Sequence, residues 1–260
     1  MPAPSPLVPV AADHPGALAA ELTSVAGRQV VLVEVGGGDR RGALTEADGQ
    51  TFAAAADHAR RAGLPLLGIL SSSGADVHEG VAALHGWGQA AKALQRCSGR
   101  VPVLLAATGP VLSGPALLLG LADHVVMTEE ACAFVSGPRM VATYTGEELD
   151  TGELGGAGVH AAHTGLASLV VADRDAAFDA LSDLVAYLPS NVDEEPPRWW
   201  SEDPVDRPTP EAGECIPASP TGGYDVRDVA AAIVDDGELL ELRARWAPNI
   251  VTALATIGGR

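Results

Sequence analysis

An α/β layered domain with a parallel sheet is the fold class this sequence predicts, on three observations. β-branched apolar runs alternate with alanine-rich stretches of helical length. Aromatic residues make up only 4% of a chain that is 47% apolar, so the core must be built from Ala, Val, Leu and Ile. The 30 glycines supply tight turns and close backbone approaches. With 260 residues there is room for one sizeable core, or for one domain plus an appendage.

The elements follow in order. Residues 1–16 carry Pro2, Pro4, Pro6, Pro9 and Pro15 and read as a flexible lead-in. A domain over 17–188 comes next. Its first strand is Val30 to Val35, ended by Gly36, Gly37 and Gly38. Thr45 to Ala62 has no proline and closes on Arg60, Arg61 and Gly63, the basic last turn and glycine stop of a helix. Leu64 to Leu70 is a second buried strand; Ser71 to Asp76 turns the chain into a helix from about Gly80 to Cys97. The unit recurs as strand Val101 to Ala107, a turn at Gly109 and Pro110, and a helix from about Ser113 to Leu121, with a short strand from His124 to Met127. Asp173 to Leu188 is a helix with acidic residues in its first turn and a proline stop at Pro189. From 189 to 224 the composition shifts to Pro, Glu, Asp and Gly and reads as an extended arm, with Trp199, Trp200 and Ile216 as its apolar anchors. Over 225–260 the chain reads as a helix from Asp225 to Asp236 and a last strand from Ile250 to Ile257.

A formal charge of −18 argues against nucleic acid and anionic membranes as partners, since both demand a basic surface. The opening MPAPSPLVPV lacks the basic and apolar regions of a signal peptide, and no later stretch has the ~18 continuous apolar residues of a membrane span. A cytoplasmic location is the resulting expectation. Cys97, Cys132 and Cys215 are widely spaced, without a metal-binding pattern, and read as buried or incidental thiols.

Ligands of parallel α/β sheets are approached at the carboxyl ends of the strands, so chemistry is expected at the turns after Leu70 and after Ala107. A strand-to-helix turn rich in glycine leaves backbone N–H groups unpaired, and two such turns facing each other can hold one oxyanion. The same pattern also fits two ordinary helix starts. Among side chains, His78 and Glu79 could move a proton or simply favour a helix start, and His160 and His163 could line a pocket or make structural hydrogen bonds. Arg139 could meet a phosphate or form an ion pair; Glu147, Glu148 and Glu153 read as a solvated face and a cap. Neither a Ser-His-Asp arrangement nor a nucleotide phosphate loop is evident.

Five segments in order carry a family resemblance. SSSGADVHEGVAAL, from Ser71 to Leu84, resembles the DSGGAR-x-x-EG segment of the carboxyltransferase (β) subunits of propionyl-CoA-type, biotin-dependent acyl-CoA carboxylases. TGPVLSGPALLLGLADHVVM from Thr108, FVSGPRMVATYTGEELDTGELGGAGVH from Phe134, YLPSNVDEEPP from Tyr187, and the stretch from Tyr224 to Arg260 are similar to later segments of the same family. The resemblance covers about residues 28 to 260. It implies the crotonase fold, a spiral of small parallel sheets and helices, as a single half-carboxyltransferase domain that binds an acyl thioester of CoA or of acyl carrier protein. It further implies that the backbone donors are Ser73 and Gly74 in the first turn and Ser113 and Gly114 in the second. Ala75, Pro115, Arg139 and His160 would then contact the bound thioester, and no metal would be needed on this chain.

Ser71, Ser73 and Asp76 stand where the family has Asp, Gly and Arg, and Ser113 and Pro115 stand where it has Gly and Ala. SGAD also resembles the AGAD turn of enoyl-CoA hydratase-like crotonases. The function this implies is carboxyl transfer through a thioester enolate, with carboxybiotin delivered by a carrier. A separate C-terminal-half subunit would complete the site, alongside a biotin carboxylase or biotin carrier protein, in a hetero-oligomer built as a trimer of pairs. Two other functions fit the same residues: a biotin-independent decarboxylase of a malonyl- or β-keto-type thioester, and a noncatalytic scaffold subunit.

Overall fold

The structure is a computed structural model and describes residues 16–36 and 41–260. The expected lead-in up to residue 15, and the expected strand stop at Gly37 and Gly38, lie outside the described residues. β1 (Leu18–Val25) and β2 (Arg28–Val35) form an antiparallel hairpin. They are joined by Ala26 and Gly27 at φ 50° and 74°, the paired left-handed conformation whose twist suits a two-residue hairpin. β1 was not expected from the sequence: in LAAELTSV only Ala20 and Val25 are buried, so the strand lacks a clear apolar alternation.

From β2 onward the sheet is parallel, with β3 (Leu66–Ser72), β4 (Val103–Leu112), β5 (His124–Thr128) and β7 (Leu169–Val171) following in order, and β6 (Cys132–Phe134) paired beside β4. Both faces of the sheet are covered, which explains why its strands read as continuous apolar runs. In β4, Val103, Leu105 and Ala107 enter one core and Leu104 and Ala106 the other. The first core is closed by α1 (Glu46–Ala62), α2 (Val81–Cys97) and α3 (Gly114–Leu119), the second by α7 (Arg174–Tyr187) through Ala177, Leu181, Leu184 and Val185. Each fully buried Leu or Val in these layers contributes about 1.5–3 kcal/mol relative to leaving it exposed.

α1 is bounded as its sequence implies. Thr45 and Asp48 form a reciprocal capping box, and Gly63, at φ 66°, ends the helix with its N–H on the Ala59 carbonyl. Between β6 and β7 run α4 (Pro138–Thr145), α5 (Thr151–Gly155), α6 (Ala157–Val159) and a π-helical turn at His160–Thr164; of these, only a helix face and cap around Glu147, Glu148 and Glu153 was expected. Their brevity explains this, because helices of three to eight residues carry too few turns to establish a period.

The expected turn at Gly109 and Pro110 is corrected. β4 continues through both residues because, having paired with β5 up to Ala107, it changes partner: Pro110, Val111 and Leu112 pair with Cys132, Ala133 and Phe134 of β6. The turn therefore comes later, at Ser113.

The segment after α7 is not extended throughout, since it contains α8 (Pro210–Glu214). It is tied to the rest of the chain: Asn191 Nδ2–H donates to the Gly63 carbonyl at 2.9 Å, and Val192 N–H to the Arg100 carbonyl at 3.0 Å. Arg207 pairs with Asp203 and donates to the carbonyls of Ala232 and Val234 at the end of α9 (Val226–Ile233). The last expected strand is shorter than read: β9 (Thr252–Leu254) pairs antiparallel with β8 (Leu240–Leu242). Among the described residues no helix is long and apolar enough to cross a membrane.

Candidate active site

The first turn follows β3 and is built as a short second ladder. Leu44 N–H donates to the Gly74 carbonyl at 2.9 Å and Asp76 N–H to the Leu44 carbonyl at 2.8 Å, so residues 42–45 run parallel to residues 72–76. Ser72 is buried; its hydroxyl donates to the Gly42 carbonyl at 2.6 Å and accepts the Gly74 N–H at 3.2 Å. Ser73 N–H donates to the Arg41 carbonyl at 3.0 Å. The N–H groups of Ser73 and Gly74, the two expected donors of this turn, thus each have an acceptor within it. In a one-sided ladder of this kind the intervening N–H points the other way, and Ala75 N–H has no acceptor among the described residues.

The second turn repeats the logic. Ser113 N–H donates to the Phe134 carbonyl of β6 at 2.9 Å, so it too is occupied. Gly114 opens α3, where N–H groups lack helical partners, and its N–H has no acceptor among the described residues. Pro115 sits in the first turn of α3, where its missing N–H removes no helical bond. The two turns adjoin: a methyl built on Gly74 would lie 3.3 Å from Ser113 Cβ and 3.4 Å from the Leu112 carbonyl oxygen. The turns thus meet at Gly74 and Ser113, and each holds one N–H, that of Ala75 and that of Gly114, without an acceptor among the described residues.

Asp76 does not present its charge to solvent. It is buried, and Oδ1 accepts His78 N–H at 2.9 Å, a local turn that fixes the start of the following helix. His78 is exposed, and Glu79 Oε2 accepts Glu46 N–H at 2.6 Å, capping α1 from the neighbouring loop. His160 has both ring nitrogens engaged. Nε2–H donates to the Ala133 carbonyl at 2.8 Å, which leaves Nδ1 to accept the Thr164 hydroxyl at 2.9 Å. The Ala133 bond ties His160 to β6, the strand whose Phe134 carbonyl accepts the Ser113 N–H. Arg139 lies exposed on α4 with no ion pair among the described residues, and His163 is exposed. Glu153 completes a capping box with Asp150 on α5.

Sequence reasoning missed Trp87 and the carbonyls of Arg41, Leu44 and Phe134. The carbonyls leave no sequence signal, because any residue could supply them. Trp87 did leave one, as an aromatic between Gly86 and Gly88 in a chain with few aromatics.

Residues 15–260 match the family model described as the carboxyl transferase domain. The chain is 34% identical over 220 residues to methylmalonyl-CoA decarboxylase subunit alpha of Propionigenium modestum, covering 84% of this chain and 43% of that protein. It is 38% identical over 198 residues to the methylmalonyl-CoA carboxyltransferase 12S subunit of Propionibacterium freudenreichii subsp. shermanii, covering 76% and 38%. Its fold superimposes with a TM-score of 0.91, at 34% identity, on a transcarboxylase 12S crystal structure with hydrolysed methylmalonyl-coenzyme A bound, covering 94% of this chain and 47% of that one. The chain thus spans about two fifths of the length of these curated relatives. With the family model spanning nearly all of it and the fold reproduced throughout, the chain belongs to the carboxyl transferase domain family.

Proposed function

We propose that this chain binds an acyl thioester of CoA and stabilises its enolate for biotin-dependent carboxyl transfer, in a site completed by a carboxybiotin-receiving half on a second polypeptide. The observation that carries this reading is the pair of adjacent turns, each with one N–H, at Ala75 and Gly114, that has no acceptor among the described residues. These two N–H groups donate to the thioester oxygen as negative charge develops on it, when the α-carbon gives up its proton and bonds to the carboxyl carbon, whose bond to the biotin nitrogen breaks as that nitrogen takes up a proton. Loss of one such donor typically slows turnover about 100- to 1,000-fold. Gly74 and Ser113 act one step back: they hold the turns in shape rather than touch the oxygen. In this reading Arg139 meets a CoA phosphate; its exposure, and the lack of an ion pair among the described residues, support that role.

The similarity to a methylmalonyl-CoA decarboxylase subunit favours a second reading, in which the same donors stabilise the enolate left when a carboxylated thioester loses carbon dioxide. The test is purification of the tagged chain from its host at low salt, a native mass, and two assays: carboxylation of propionyl-CoA and carbon dioxide release from methylmalonyl-CoA, each with and without biotinylated carrier. Carboxylation that requires the carrier, in a complex containing a second-half protein, is the expected result. Carbon dioxide release that ignores the carrier would replace it with the decarboxylase reading. A complex that binds no acyl-CoA would leave only a scaffold role.

A further inference from the structure

We propose that Trp87 is the positioning residue for the Gly114 donor, and that it is the reason position 114 holds glycine; this rests on the reading of Ala75 and Gly114 given above. Gly114 is not among the glycines with positive φ, so its backbone conformation does not demand glycine. Space does. A methyl at Gly114 would lie 3.0, 3.1 and 3.2 Å from Cγ, Cδ1 and Cδ2 of Trp87. Near-equal distances to three contiguous atoms of the five-membered ring place its face against the Gly114 Cα. The ring is 7% exposed and its Nε1–H has no acceptor among the described residues, so packing orients it. A buried indole N–H ordinarily finds a partner. Here the ring face is what the site uses.

The ring cannot retreat, because the residue before it is locked. α1 and α2 cross backbone to backbone: a methyl on Gly49 would lie 2.3 Å from the Gly86 carbonyl carbon, and one on Gly86 would lie 2.8 Å from the Glu46 carbonyl oxygen. On the far side of the turn, the Ser113 N–H is held by the Phe134 carbonyl. Gly114 N–H is therefore fixed between a wedged indole and a strand. Preorganisation of this kind matters because a displacement of ~1 Å at a reacting centre can cost about 100-fold in rate.

The test reads carbonyl polarisation rather than activity. Propionyl-CoA labelled with carbon-13 at the thioester carbonyl is bound to the full chain in the assembly in which it purifies, and its infrared stretching frequency and calorimetric Kd are measured. Wild type is expected to lower the frequency. Trp87→Phe should keep most of the shift, and Trp87→Ala should lose most of it while Kd moves by no more than roughly threefold, since remote contacts to CoA are untouched. Gly114→Ala should also lose the shift, and adding Trp87→Leu should restore part of it by making room for the methyl. A wild-type complex with no frequency shift would overturn the Ala75 and Gly114 reading, and the Trp87 proposal with it. A full shift in Trp87→Ala, or in Gly114→Ala with Trp87 in place, would overturn the Trp87 proposal alone.

Discussion

Ser113 adopts φ 62° and ψ −127°, nearly the values of Gly80 at the equivalent start of α2, φ 55° and ψ −123°. One of two matching turns therefore has the residue suited to that backbone, and the other carries a side chain in a region glycine favours. Such strain costs about 1–3 kcal/mol and is tolerated where the surroundings over-determine the conformation. The Phe134 carbonyl, held in turn through His160, supplies that constraint. Ser113→Gly should relieve the strain, less about 0.4–1 kcal/mol for the more flexible unfolded chain, for a net gain of about 1 kcal/mol by urea unfolding. A loss of stability would mean that the hydroxyl contributes more than the strain removes. At this scale the sequence was only partly legible. Glycine and serine content pointed to the right turns, but which N–H groups stay open depends on carbonyls from residues 41, 44 and 134, and only folding brings these close.

Among the elements, those with long apolar periods were the readable ones: α1, α2 and α7 and the central strands stand close to where the sequence placed them. The missed elements are short, or, like β1, leave most of their side chains unburied. Proline misled at Pro110, because a proline marks a turn only where the strand has no further partner, and β6 supplies one. The α1/α2 crossing is another feature that composition conceals. Gly49 and Gly86 look like flaws in two helices, each costing about 0.8–1 kcal/mol against alanine. Their packing shows the compensation, since they let the two backbones touch. Gly86→Val should therefore destabilise by about 3 kcal/mol or more, the high end for overpacking, because the obstacle is backbone that cannot rotate away. Thermal unfolding measures the loss. The same variant should weaken the infrared shift described above even where it remains folded, because Trp87 moves with Gly86.

For the molecule as a whole, the end of the chain is fastened by one carboxylate. Asp235 accepts the N–H of Gly258 at 2.8 Å and of Gly259 at 2.7 Å, and Trp199 N–H donates to the Gly259 carbonyl at 2.7 Å, so the arm, α9 and the last residues meet at this point. The Gly259 and Gly258 N–H groups hold the Asp235 carboxyl below its ordinary value of 3.8. A depressed acid pKa contributes stability that is present above the unfolded value and lost as pH falls through the folded one. The fastening should thus be intact above about pH 3.8 and be lost progressively below it, as pH falls through the depressed folded value. Total charge acts in the opposite direction over the same range, because protonating carboxylates relieves the self-repulsion of a chain at −18. A global melting temperature would mix the two effects. Hydrogen exchange of the peptide spanning 250–260, corrected for the intrinsic pH dependence of exchange, separates them. In wild type its protection should fall as pH drops below 3.8, whereas in Asp235→Asn it should already be weak at neutral pH and change little on acidification. Protection that persists in both proteins through that range would show that the hairpin of β8 and β9, and not Asp235, holds the end in place.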